Sequence, residues 1–204
     1  APRSQMGVDH SADLPQTIPA GHVATIITHL EMLDKPALLE IESNLSLAKW
    51  KKPPVAEYLA LFRAVGEPWF WTSRILMTED EVQSVVQHPD IDIYIVRDGE
   101  TPVGFIELDF RQSGQCEIGF FGLVPEMNGK GHGSWMMNQA LEKAWRDDIE
   151  RVWLHTCIQD SPRALPFYQR CGFRIFKQQF DMMPDPRLSG HLPRTAAPHI
   201  PILG

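Results

Sequence analysis

One stretch constrains this chain more than any other: Glu117-Ile118-Gly119-Phe120-Phe121-Gly122-Leu123-Val124-Pro125-Glu126-Met127-Asn128-Gly129-Lys130-Gly131-His132-Gly133. It reads as a buried strand, a glycine-rich turn and the first turn of a helix. Gly129, Gly131 and Gly133 carry no Cβ, so the turn can take positive φ and bring backbone N–H groups against a ligand. The helix predicted from Gly133 to Trp145 puts Met137, Ala140, Leu141, Ala144 and Trp145 on one apolar stripe. A strand that enters a helix N-terminus through glycines presents unpaired N–H groups at the positive end of the helix dipole. That geometry suits a diphosphate. A Walker loop is excluded, because Ser134-Trp135 follows Gly133 where a Lys-Ser/Thr pair is needed. A dinucleotide fingerprint is excluded by the glycine spacing and by its place in the second half of the chain.

Around this stretch the pattern alternates between strands and helices. Residues 1–22 are polar, hold three prolines and read as a loose leader. Val23 to Met32 is β-branched and predicts a strand. From Asp34 to about Arg63 the pattern is helical and is broken at Lys51-Lys52-Pro53-Pro54, which predicts two helices. Thr78-Glu79-Asp80-Glu81 predicts a capped helix running to His88. Ile91 to Val96 alternates as a strand, Arg97 to Glu100 is a hairpin turn, and Val103 to Phe110 is the returning strand. Val152 to Cys157 and Phe173 to Phe176 are further strands, separated by a helix that Ser161 would cap and Pro162 would open. Tight-turn pairs followed by helix-separated strands make a mixed sheet in one α/β (α+β) domain, residues 23–180. The proline-rich tail, residues 181–204, lacks helical period; its apolar end favours packing on the domain or on a partner.

Composition narrows the partners. A net charge of −7 and the absence of any basic run argue against a nucleic-acid binder and mildly favour a cationic substrate. No apolar run approaches the ~18 residues of a membrane-spanning helix, and no signal peptide is visible. Ala1 in place of Met is expected of a processed chain. Cys116, Cys157 and Cys171 form neither pairs nor a C-x-x-C motif, so they read as packing residues of a cytoplasmic protein. A monomer or homodimer without a metal is expected.

The spacing Asn128-x-x-Gly131-x-Gly133 resembles the Q/R-x-x-G-x-G/A loop of the GCN5-related N-acetyltransferases (GNAT). A second segment, Ala164-Leu165-Pro166-Phe167-Tyr168-Gln169-Arg170-Cys171-Gly172-Phe173, resembles that family's A-x-x-x-Y-x-x-x-G-F segment. Both occur in the family's order with a strand between them, and the likeness covers about Val23 to Gln178. Asn128 stands where Gln or Arg is commoner, and Ser161 where many members carry Asn. The resemblance implies a mixed sheet of about six to seven strands, flanked by helices, whose central strands splay to bind acetyl-CoA. It implies an acetyl-CoA-dependent N-acetyltransferase whose primary amine attacks the thioester directly, within a ternary complex.

Residue roles follow from the resemblance. Leu123 and Val124 peptide groups would pair with the pantetheine amide, with the Val124 N–H facing the thioester oxygen. The loop amides of Gly129 to Ser134 would hold the pyrophosphate, Lys130 and His132 would add charge at its rim, and Asn128 and Ser161 would contribute hydrogen bonds. Tyr168 matches the position of the family's general acid; its alternative is a packing tyrosine. Glu117 lies eleven residues before Asn128, the offset of the glutamate base in the histone-acetylating branch. Alternation would put it on one face with Gly119 and Phe121. Its alternative is a salt-bridged glutamate, and Glu107, Asp109 and His155 are the other candidate bases. Trp69, Trp71 and Glu107 lie where the family builds its acceptor pocket, although tryptophans bury large areas in any fold. A small-molecule amine is favoured as acceptor. The alternatives are a protein or peptide N-acetyltransferase and a non-catalytic CoA-binding module.

Overall fold

The computed structural model describes residues 15–204. Most of the expected leader, residues 1–14, lies outside the described residues. Among them, seven strands form one sheet in the order β2-β3-β4-β5-β6-β1-β7. These are β1 (His22–Met32), β2 (Ser46–Lys49), β3 (Ile91–Asp98), β4 (Thr101–Asp109), β5 (Gln115–Leu123), β6 (Arg151–Cys157) and β7 (Arg174–Pro184). Every neighbouring pair is antiparallel except β5–β6, which is parallel. The helices are α1 (Val55–Gly66), α2 (Glu79–Val86), α3 (His132–Ala144) and α4 (Ala164–Arg170).

The strand order explains why the first predicted helix is absent. β1 sits between β6 and β7, five strand spacings from β2. Residues 33–45 must therefore cross about 24 Å at roughly 4.8 Å per strand. A helix of that length reaches only about 20 Å, whereas an extended chain exceeds it easily. The segment runs extended. Leu38 and Ile41 pack against the core, and Asn138 donates to the Leu39 carbonyl. Local helix propensity loses to the distance the connection has to cover.

Two apolar layers sandwich the sheet. On one face α3 buries Trp135, Met136, Met137, Ala140, Leu141 and Ala144 against Ile106, Leu108, Ile118 and Leu154. On the other, α1 and α2 bring Tyr58, Phe62, Val65 and Val82 onto Ile93, Ile95 and Phe105. Ile91 to Val96 is consequently buried at all six positions instead of alternating, because β3 is covered on both sides. Thr78 and Glu81 close a reciprocal cap on α2, as their spacing predicts.

Two irregularities shape the centre. Leu108 pairs with Ile118 but Glu107 with Phe120, so Gly119 is a bulge on β5. In addition, β5 and β6 pair only from Gln115–Glu117 to Arg151–Trp153; beyond that the two strands part. A wedge-shaped split opens there.

The C-terminal elements differ in detail from the sequence pattern. β7 extends to Pro184, well past Phe176. α4 starts at Ala164, and Ser161 does not cap it; its hydroxyl accepts only the Arg163 N–H, at 3.3 Å. Pro162 and Pro166 each lack an N–H, so the first full helical bond runs from Phe167 to the Arg163 carbonyl, at 3.1 Å. After β7 the chain folds back over its own domain. The Arg187 guanidinium pairs with Asp185 at 2.8 Å and also donates to the carbonyls of Ala196, Ile200 and Pro201. Leu192, Ala196 and Ala197 close a third cluster with Val23 and Phe70.

Candidate active site

The glycine turn makes an anion cradle at the start of α3. Gly131, with φ +84°, is the residue before the first helical turn, and no side chain caps that turn. Its leading N–H groups are therefore left without helical partners. Gly133 lets the helix approach α4, since a Cβ there would touch the Phe167 ring at 3.4 Å. Of the two basic residues expected at the rim, His132 lines the cavity, with Nδ1 at 3.4 Å from Ser43 Oγ. Lys130 does not line it; its ammonium lies 4.0 Å from Met127 Sδ. The cation beside the turn is Arg163, whose guanidinium comes within 3.7 Å of where a Gly129 Cβ would stand. Nothing in its sequence setting marks it; folding α4 against the turn brings it there.

The split continues from this cradle between β5 and β6. The Val124 N–H donates to the Val103 carbonyl at 2.8 Å, and the Val124 carbonyl accepts from Met127 at 3.0 Å. Both peptide groups are occupied and Val124 is absent from the cavity wall, which corrects the role expected of it. Ladder bonds alternate along an antiparallel pair, so with residue 124 turned toward β4 the groups of Phe121 and Leu123 face the split. The strand donor that faces the split is one residue earlier than the resemblance implied.

A single cavity of about 1010 Å³ joins these parts. Its lining includes Leu123, Asn128, Gly129, Gly131, His132, Gly133, Ser134, Ser161 and Tyr168, together with Trp69, Trp71, Glu107, Asp109, Glu117 and His155. Tyr168 packs on Phe121, Phe167 and Phe173. Desolvation, reinforced by the nearby Asp160 charge, lifts its phenol above the ordinary range, so it keeps its proton.

Glu117 faces the cavity with Oε1 3.2 Å from His155 Nδ1. The bulge at Gly119 breaks the expected alternation: Phe120 packs with Phe62 and Trp71, whereas Phe121 packs with Phe167 on the opposite layer. Glu117 thus shares its face with Phe120, not Phe121. The other carboxylates are spoken for. Glu107, 1% exposed, accepts from Tyr58 Oη at 2.7 Å and from Arg74 at 2.6 Å, so both its oxygens are used and it is no free substrate contact. Asp109 is clasped by the Arg111 guanidinium. Burial would push its carboxyl up, but the Arg111 hydrogen bonds and charge hold it below the usual value.

Trp71 is a wall, not a loose side chain. Its indole packs between Gly66 and Gly122, and a Cβ on Gly122 would lie 3.2 Å from the ring. Its Nε1 donates to Asp160 Oδ1 at 3.2 Å. Asp160 also accepts from Thr156 Oγ1 at 2.6 Å, and burial raises its carboxyl against the lowering effect of these donors. It lines the cavity and was not legible in the sequence, where Asp160-Ser161-Pro162 looks like turn residues. The thiols stay packing groups: burial pushes Cys157 up to about 11 and Cys116 higher still. Among the described residues no three His, Cys, Asp or Glu side chains are placed to hold a metal ion. No described helix is long and apolar enough to cross a membrane.

Known proteins share this fold. The family model described as the acetyltransferase (GNAT) family matches residues 56–173. A protein of unknown function from Staphylococcus epidermidis superposes with a TM-score of 0.58 at 16% identity, over 79% of this chain and 62% of that one. A GCN5-related N-acetyltransferase from Sphaerobacter thermophilus gives 0.55 at 17%, over 79% and 52%. A tandem GNAT protein of the clavulanic acid biosynthesis pathway gives 0.55 at 16%, over 82% and 54%. The chain thus spans between half and two-thirds of the length of these structures. No curated protein matches the sequence. At such identities the superpositions establish the seven-stranded fold alone, but the family model covers more than half of the sequence, and with it the chain belongs to the GNAT acetyltransferase family.

Proposed function

We propose that this protein transfers an acetyl group from acetyl-CoA to the primary amine of a small molecule, by direct attack within a ternary complex. One observation carries the proposal: a single cavity joins a helix-start anion cradle, a split strand pair with unpaired peptide groups, a protonated tyrosine and a carboxylate–histidine pair. The residues fit the donor. The N–H groups that follow Gly131, with Arg163 beside them, suit a diphosphate. The Phe121 and Leu123 peptide edge suits an amide-bearing arm, and the Leu123 N–H is the candidate for the developing oxyanion.

In the acetyl-transfer step the acceptor nitrogen bonds to the acetyl carbon as the carbon–sulfur bond breaks. The proton leaving nitrogen passes to Glu117, directly or through one water, and the adjacent His155 orients that carboxylate. Tyr168 gives its proton to the departing sulfur and regains one from solvent. Three unpaired thiols suit a reducing cytoplasm. The test is thiol release from acetyl-CoA across a panel of small amines and peptides with free N-termini. Turnover of small amines above that of peptides is expected; faster turnover of peptides would move the acceptor class. Heat on titration of CoA without any thiol release would leave a binding module.

A further inference from the structure

We propose that Asp160 is a positioning residue, which latches the Trp71 indole across the split and thereby fixes the acceptor side of the cavity. The inference rests on the acetyl-transfer reading of that cavity. Trp71 belongs to the wall built on β4 and β5, where it packs on Phe105, Phe120 and Gly122. Asp160 belongs to the other lip: its Oδ2 accepts from Thr156 Oγ1 at 2.6 Å and from the Cys157 N–H at 3.3 Å, at the end of β6. Since β5 and β6 share no pairing past Glu117 and Trp153, the 3.2 Å contact from Trp71 Nε1 to Asp160 Oδ1 spans a gap the backbone leaves open.

The indole packs against the α1 side of the core and is tied at its polar edge as well. Gly66 and Gly122 both lack the Cβ that its ring would strike, so it is gripped between two backbones. The loop carrying it is already anchored elsewhere, by the Ala197 N–H on the Pro68 carbonyl at 3.0 Å and by Arg187 over the Phe70 ring at 4.9 Å. What Asp160 adds is the tilt of one ring facing the cavity, obtained at the cost of burying a carboxylate. One carboxylate oxygen closes the turn after β6, and the other is left to fix the indole at the cavity wall.

Steady-state kinetics, calorimetry and indole 15N spectra of Asp160→Ala, Asp160→Asn, Trp71→Phe and the Asp160→Ala/Trp71→Phe pair test this. Asp160→Ala and Trp71→Phe should each raise the acceptor KM about tenfold, with the CoA dissociation constant within about twofold, and the pair should do no worse than the stronger single change. Asp160→Asn should fall between, because its amide oxygen still accepts from the indole. Additive effects, or an equal loss of CoA affinity, would overturn the latch. The resonance missing from Trp71→Phe identifies the Trp71 indole, whose N–H should exchange slowly in the wild type and fast in Asp160→Ala. Equal exchange rates would also refute it. Since that readout needs no turnover, it separates failure of the latch from failure of the acetyl-transfer reading.

Discussion

The two sides of the split are built on different terms. Through β3 and β4 the sheet is covered on both faces, and β3 shows no exposed position between Ile91 and Val96. From β6 through β1 to β7 the cover thins: β7 is exposed along nearly its whole length, with Phe180 62% accessible. Tight packing in the first region fixes the wall that carries Glu107, Glu117, Phe120 and Trp71. The second region supplies Asp160, His155 and, by way of α4, Tyr168 and Arg163. One lip is rigid because its core is dense; the other is set by polar contacts and by the tail that folds back over it. The lesson is that a cleft of this kind can be built with only one densely packed wall, provided that specific hydrogen bonds register the other against it.

The largest expected effect lies at the junction of the regions. Gly131→Val forces a β-branched residue to φ +84°, where no neighbour crowds it, so strain alone should displace the cradle amides. Calorimetry should show CoA binding weakened on the order of a hundredfold or more; intact binding would mean that the diphosphate sits elsewhere. Next comes the contrast between the regions themselves. Phe62→Ala empties a fully buried site and should cost about 3–5 kcal/mol in denaturant unfolding. Phe180→Ala, on the exposed strand, should change stability by no more than about 0.5 kcal/mol. Equal costs would break the comparison.

Smaller effects sharpen it. Tyr168→Phe should lower kcat about 10- to 100-fold with CoA affinity held, and Glu117→Gln should flatten the acidic limb of the pH–rate profile. An unchanged kcat, or an intact limb, would take the corresponding side chain out of its role. The smallest effect concerns Asp160. Its folded carboxyl lies above the usual 3.8, so the native state holds that proton more tightly than the unfolded chain does. Wild-type stability should therefore decline as pH rises through the window above 3.8, where Asp160→Asn does not titrate. Melting temperatures should shift in favour of the variant as the pH rises above that unfolded value. A constant difference would show that Asp160 is not the strained charge described.

Legibility tracked the range of the interactions involved. The strand–turn–helix unit, the capping box at Thr78 and the Tyr168 segment are local patterns, in which periodicity and a few glycines decide the backbone. They survive in the structure, apart from the bulge at Gly119 and the uncapped start of α4. The failures arose where distant parts of the chain set the outcome. Residues 34–50 have helical composition, but the β1-to-β2 span requires an extended path and an edge strand. Val124 lost its expected donor role because a bulge and the Val103 carbonyl shift which strand groups face the split. Glu107 looked like a free carboxylate, since nothing near it in sequence reveals Arg74 and Tyr58.

By itself, then, the sequence determined that a glycine turn ends a central strand and opens a helix, that a tyrosine follows on a later short helix, and that the family is an acetyltransferase family. These depend on residue spacing within one or two elements, where side-chain period and backbone freedom act locally. Tertiary structure alone decided which carboxylate stays unclasped by arginine, which cation approaches the turn, and which indole is tied to Asp160. Those outcomes depend on pairs separated by 33 to 89 positions, such as Arg74 with Glu107 and Trp71 with Asp160. A sequence pattern has no term for such distances until the sheet order is known.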